Sequence, residues 1–92
     1  MTERHVTVKN RAGIHARPAA CIVQIAGKFT SKITMIKEAE NETINAKSVM
    51  GIISLGAGYN TVLLVRAEGS DEVEAVETIV AFFERRFDFE EE

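Results

Sequence analysis

Tryptophan is absent from the 92 residues, and cysteine and proline occur once each. One cysteine, Cys21, excludes an internal disulfide and a cysteine-based zinc centre. No apolar run approaches the ~20 residues of a helical membrane span. Met1 leads straight into Thr2, Glu3, Arg4 and His5, so no secretory leader and no membrane insertion are expected. A formal net charge of −3 argues against direct nucleic-acid binding. With one proline and 46% apolar residues, general disorder is excluded as well. The length allows one domain. These absences leave a soluble, cytoplasmic, single-domain chain with a monomer as its default state, and nothing in its composition calls for a cofactor or a metal.

The charge that is there is unevenly placed. Residues 1–48 hold eight bases and four acids, whereas residues 49–92 hold three bases and ten acids. Such polarity suits a small module whose basic side meets acidic partners or phosphate. One solvated helix and an acidic tail would produce the same imbalance.

Periodicity gives the order of elements. His5 to Lys9 alternates, with Val6 and Val8 inward, and predicts a strand. Residues 16–27 carry a helical stripe of Ala19, Ala20, Ile22, Val23 and Ala26 that stops at Gly27. Ser31 to Lys37 and Glu42 to Ala46 predict two strands joined by the polar turn Glu38 to Asn41. Ser48 opens a short helix that ends before Gly56, and a loop follows to Asn60. Thr61 to Ala67 is β-forming with Leu63, Val65 and Ala67 inward; Val62 and Leu64 fall on the other face. Ser70 is the expected cap of a last helix, with Asp71 and Glu72 in its first turn. Val73, Val76, Val80 and Phe83 recur along it at helical spacing. The order is β-α-β-β-α-β-α, an α+β chain with helices packed on one sheet face.

Chemistry concentrates where the first helix begins, at Gly13-Ile14-His15-Ala16-Arg17-Pro18. Proline is tolerated in a first helical turn, so Pro18 fixes the start of the helix and places His15 at or near its N-cap. A helix N-terminus offers unpaired N–H groups and a partial positive charge, which suits an anion. Histidine is a nucleophile at neutral pH, and Arg17 adds a charged fork that fits phosphate. Residue types alone leave two readings: a polar residue on a surface helix, or a group that accepts and releases a phosphoryl group. No neighbouring Asp, Ser or second His suggests a hydrolytic triad or a metal site.

The second helix repeats the pattern with a hydroxyl. Ser48 is a natural N-cap, and phosphate is also favoured at that position. Val49, Met50, Ile52, Ile53 and Leu55 cannot all face one core from a two-turn helix, so part of that set predicts an exposed docking surface beside Lys47. Gly51 and Gly56 have the interval of a phosphate loop, but no Lys-Ser/Thr follows, and a nucleotide site is rejected.

Taken together, residues 13–19 and Lys47-Ser48-Val49-Met50-Gly51-Ile52-Ile53-Ser54-Leu55-Gly56 resemble HPr, the histidine-containing phosphocarrier family of the phosphoenolpyruvate-dependent sugar phosphotransferase system. The resemblance runs from about residue 3 to residue 86, which suggests an HPr domain over 1–86 and an acidic tail over 87–92. It implies an open-faced β-sandwich whose four-stranded antiparallel sheet is ordered 1-4-2-3 and covered on one face by three helices. It further implies a carrier rather than an enzyme. His15 would take a phosphoryl group on Nδ1 from phosphorylated enzyme I and pass it to IIA domains of sugar permeases, with Ala16 and Arg17 holding the phosphate.

Ser48 matches a regulatory serine phosphorylated by an ATP-dependent HPr kinase/phosphorylase, and a catabolite-control repressor is a further implied partner. The partner-binding residues on this pattern are Ala16, Arg17, Ala20, Lys47, Ser48, Val49, Met50, Gly51, Ile53 and Leu55. A purely regulatory HPr that signals through Ser48 is the alternative. Two features depart from the family pattern: Ala12 stands where a polar side chain is common, and the Glu38–Asn41 turn is longer than usual.

Overall fold

Residues 1–85 are described in the structure, a computed structural model. Residue 86 of the expected domain and the expected tail 87–92 lie outside the described residues. Four strands, β1 (Thr2–Thr7), β2 (Lys32–Lys37), β3 (Glu42–Asn45) and β4 (Val62–Glu68), form one antiparallel sheet in the order β1-β4-β2-β3. Three helices, α1 (Ala16–Ala26), α2 (Val49–Ser54) and α3 (Glu72–Glu84), cover one of its faces. This is the open-faced sandwich and the 1-4-2-3 order that the resemblance implies.

Register explains the core. Val6 lies opposite Leu63, Met35 opposite Val65, and Ile33 opposite Ala67, so one face of the sheet is a continuous apolar floor. Ile22 and Ala26 of α1, Ile52 of α2, and Val76, Ile79 and Phe83 of α3 are buried in the same cluster. Each fully buried Ile, Leu or Phe contributes roughly 1.5–3 kcal/mol, enough for a small domain without disulfides. Phe82 and Phe83 meet edge to face, with ring centroids 6.1 Å apart.

Four expectations are corrected. The first strand begins at Thr2, not His5. Its first half has no apolar residue for periodicity to register, and a charged pair marks it instead: Arg66 Nε donates to Glu3 across the register at 2.6 Å. Val73 is 55% exposed and does not join the stripe of α3. Ser70 does not cap α3. Asp71 occupies that position, but its carboxylate accepts from the Thr30 N–H (2.9 Å), the Ser31 N–H (3.0 Å) and the Ser31 hydroxyl. With the Thr30 hydroxyl at 3.4 Å, four donors from the α1–β2 turn outweigh one local capping bond.

The fourth correction concerns the outer face of the sheet. Leu64 is only 6% exposed, because the turn Glu38–Asn41 does more than reverse the chain. It forms one turn of 3-10 helix, Glu38–Glu40, ends in left-handed Asn41 (φ 55°), and lies against β4. Glu38 Oε1 meets His5 Nε2 at 3.0 Å. Beneath this turn Leu64 and Ile36, opposite each other in register, make a second small buried pair.

Candidate functional site

The approach to His15 is held from both sides. After β1, Val8 is buried; its N–H donates to the Thr61 carbonyl at 2.9 Å and its carbonyl accepts from the Asn60 N–H at 2.7 Å. The chain then turns at Asn10, whose carbonyl accepts from the Gly13 N–H at 3.0 Å. Gly13 has φ 75° and presses on the loop Gly56–Asn60; a Cβ there would stand 2.7 Å from the Ala57 carbonyl oxygen and 2.9 Å from the Gly58 Cα. Both the backbone angle and the close approach require glycine. Ile14 donates its N–H to the Ala57 carbonyl at 2.9 Å and buries its side chain. His15 follows directly, exposed, as the N-cap of α1.

The His15 backbone is extended, its carbonyl accepts the first helical bond from Ala19 at 3.0 Å, and its side chain makes no capping bond. Pro18, the third helical residue, is buried and brings no N–H. First-turn N–H donors therefore come from Ala16 and Arg17, which have no acceptor within the helix. The first turn contains no acidic side chain to answer the helix dipole. The geometry places His15, Ala16 and the exposed Arg17 in succession at one electropositive helix end. It also unites that end with the loop Gly56–Asn60, which in the sequence reads as a connection only. That loop supplies the carbonyl that fixes Ile14, and its Tyr59 is exposed. The glycine pair around Ala57 was its one legible signal.

Ser48 sits at the N-cap of α2, as expected. Its Oγ accepts from the Gly51 N–H at 3.0 Å and its carbonyl from the Ile52 N–H, also at 3.0 Å. The helix packs on α1 and leaves part of its apolar set in solvent: Met50 is 73% and Ile53 37% exposed. Ala16 and Ala20, one helical turn apart, are exposed on α1. Val49 and Gly51 are half-buried, with Val49 against the core.

Leu55, expected at the partner surface, is 2% exposed and belongs to the core. A two-turn helix anchors its last turn through that residue, while Lys37 Nζ donates to the Leu55 carbonyl at 3.0 Å and caps the negative helix end. Lys47 is engaged too: its Nζ donates to the Phe29 carbonyl at 2.8 Å and ties α2 to the end of α1. Among the described residues no group of three His, Cys, Asp or Glu side chains could hold a metal ion.

Comparison with known proteins agrees with this geometry. The family model described as "PTS HPr component phosphorylation site" matches residues 2–85. The phosphocarrier protein HPr of Treponema pallidum is 44% identical over 90 residues, covering 98% of this chain and all of the relative. The HPr-like protein Crh of Halalkalibacterium halodurans is 45% identical over 85 residues, covering 92% of this chain and 99% of the relative. The crystal structure of HPr-C-His from Thermoanaerobacter tengcongensis superposes with a TM-score of 0.89 at 47% identity, over all of this chain and 99% of that one. Fold and relatives converge, and the chain belongs to the HPr family of phosphocarrier proteins of the phosphotransferase system.

Proposed function

We propose that His15 is the working residue of a phosphoryl carrier that operates in the cytoplasm between enzyme I and the IIA domains of sugar permeases. In the first step the bond from phosphorus to the donor group of phospho-enzyme I breaks as a bond to His15 Nδ1 forms. In the second step that bond breaks as the acceptor on a IIA domain takes the phosphoryl group. The phosphorus moves between two nucleophiles, so the chain's own contribution is positioning and charge. One observation carries this reading: an exposed histidine stands as the N-cap of α1, at a helix end with no acidic side chain in its first turn. A phosphoryl group on its ring would find the N–H groups of Ala16 and Arg17 and the Arg17 guanidinium. The exposed apolar surface of Ala16, Ala20, Met50 and Ile53 would exclude water when a partner docks. Val49, Gly51 and the backbone of Lys47 extend that surface around Ser48.

Ser48 is the regulatory position of this reading. An HPr kinase/phosphorylase would transfer the γ-phosphoryl of ATP to its hydroxyl, and a catabolite-control repressor would read the product. A second reading, a regulatory protein with a silent His15, is favoured by the relation to Crh proteins; the Crh of Bacillus subtilis, a relative of known structure, is named for catabolite repression. Two reactions separate the readings, each resolved by site with mass spectrometry. One contains phosphoenolpyruvate and enzyme I, the other ATP and the kinase/phosphorylase. Acid-labile phosphate on His15 in the first, discharged by a IIA domain, establishes the carrier. Acid-stable phosphate on Ser48 alone replaces it with the regulatory reading.

A further inference from the structure

On the covered face of the sheet, β2 ends in a charge. Ile33 and Met35 are buried in the core, and Lys37 stands at the next position of the same strand phase. Its side chain is 14% exposed. The strand carries the ammonium group to the C-terminal end of α2. There Nζ donates to the Leu55 carbonyl at 3.0 Å and to the Gly56 carbonyl at 3.5 Å. Glu40 Oε1, from the long turn after β2, lies 3.3 Å from the same nitrogen. The ammonium donors thus face two carbonyls and one carboxylate. The two carbonyls belong to the residues directly before Ala57. Gly56 has φ 62°, and open space surrounds the position a Cβ would take. Hydrogen bonds rather than side-chain packing therefore direct the chain at Gly56: its N–H donates to the Ile53 carbonyl at 3.0 Å, and its carbonyl faces Lys37. The next carbonyl, that of Ala57, accepts from the Ile14 N–H at 2.9 Å, and His15 follows Ile14. The far side of the loop has its own anchor, in the bonds of Val8 to Asn60 and Thr61.

We propose that Lys37 is a positioning residue for His15: by holding the Leu55 and Gly56 carbonyls it fixes the Ala57 carbonyl that seats Ile14, and so sets where His15 stands. Charged donors make the stronger hydrogen bonds, and this one also answers the negative end of α2. Without it the two carbonyls turn to water for partners, and the loop start turns with them. Lys37 acts through backbone alone and touches no reacting atom. The consequence for phosphoryl transfer rests on the carrier reading of His15; the consequence for Ile14 does not.

Lys37→Met in the full chain tests this, since methionine keeps most of the stem and removes the donors. In amide hydrogen exchange the Ile14 N–H should exchange about tenfold faster than in the wild type, while the Val8 N–H, at the far anchor, keeps its rate. In phosphorylation by phosphoenolpyruvate and enzyme I, kcat should fall about tenfold, as for a slightly displaced reacting group, with KM for the variant chain unchanged. Lys37→Arg, whose fork can span both carbonyls, should restore both readouts. Lys37→Gln gives changes of the same sign and decides the matter if Lys37→Met does not fold. Equal acceleration at Ile14 and Val8 would mark general loosening and overturn the proposal, as would an Ile14 rate like that of the wild type. A raised KM at constant kcat would make Lys37 a docking residue and overturn it too, and so would an arginine variant that behaves like the methionine one. A wild type that takes no phosphoryl group defeats the carrier reading instead, and the exchange rates of Ile14 and Val8 then uphold or overturn the role of Lys37 by themselves.

Discussion

The N-termini of α1 and α3 begin from the same physics and end in opposite states. Each presents first-turn N–H groups without intrahelical acceptors and a partial positive charge. At α3 that charge is answered from within. Glu72 and Glu74 stand in its first turn, and Glu72 accepts from the Gly69 N–H at 3.1 Å and the Thr2 hydroxyl at 2.7 Å. Asp71 beside them fastens the α1–β2 turn. At α1 there is no first-turn acid, no side-chain cap, and a proline in the third position. Carboxylates at one helix end hold the fold together. The other end has no acidic side chain in its first turn, and the chain before it is anchored on the loop Gly56–Asn60 through the Ile14 N–H and the Ala57 carbonyl.

The contrast breaks most completely at His15. His15→Ala should abolish acid-labile phosphorylation by enzyme I while changing stability by no more than about 0.5 kcal/mol, as for an exposed side chain outside the core. Labelling of this variant at the wild-type rate would remove His15 from the mechanism. The next effect in size belongs to Gly13→Ala. A Cβ at φ 75°, 2.7 Å from the Ala57 oxygen, must displace backbone. The expected cost is about 3 kcal/mol, combining left-handed strain with overpacking. The same shift disturbs the Ile14 anchor, so phosphoryl acceptance should fall with stability. An unchanged denaturation midpoint in this variant would show that the loop yields freely.

At α3 the breaking agent is acid. The Glu72 carboxyl is held down at about 2, against an ordinary 4.5, first by the hydrogen bond from the Met1 amino group and then by Thr2 and the Gly69 N–H. Asp71 is lowered as well, first by the Ser31 hydroxyl and then by the Thr30 N–H. A carboxyl depressed in the folded state stabilises the fold above its unfolded pKa, and that contribution drains away as pH falls through the folded value. Melting temperature should therefore decline between pH 4.5 and about 2 through the Glu72 group. A variant carrying Asp71→Asn and Glu72→Gln should melt lower at neutral pH and show a flatter acid limb. Parallel limbs for the variant and the wild type would deny these carboxylates the role.

Much of this architecture was legible in residue order, for identifiable reasons. Apolar alternation in Thr61 to Ala67 and the 3.6-residue stripe of α1 report burial directly. His15 and Ser48 were legible as helix starts because Pro18 and the serine itself are strong local signals. What escaped notice depends on contacts distant in sequence. The Asp71 carboxylate reaches residues 30 and 31 across 40 positions, and no local pattern shows it. Leu64 reads as an outer-face residue in its strand; only the 3-10 turn folding over it makes it core. The loop Gly56–Asn60 joined the site because Gly13 touches it, a contact between segments 44 residues apart in the chain.

Between the two extremes lies α2, whose cap residue carries two demands at once. Ser48 stabilises its helix through the Gly51 N–H, and in the proposed function it also receives phosphate. Two substitutions divide these demands. Ser48→Ala removes the cap and should cost about 1 kcal/mol, while leaving the rate of phosphoryl acceptance at His15 near wild type. Ser48→Asp keeps a capping oxygen of equal rank, so stability should hold. Its charge stands beside the exposed Met50 and Ile53, where an acidic partner would approach, and acceptance from enzyme I should slow. Denaturation midpoints and acceptance rates measured on both variants give the answer. If Ser48→Asp accepts phosphate as fast as the wild type, charge at this cap does not gate docking, and the helix start at Ser48 belongs with α3 as a device of stability alone.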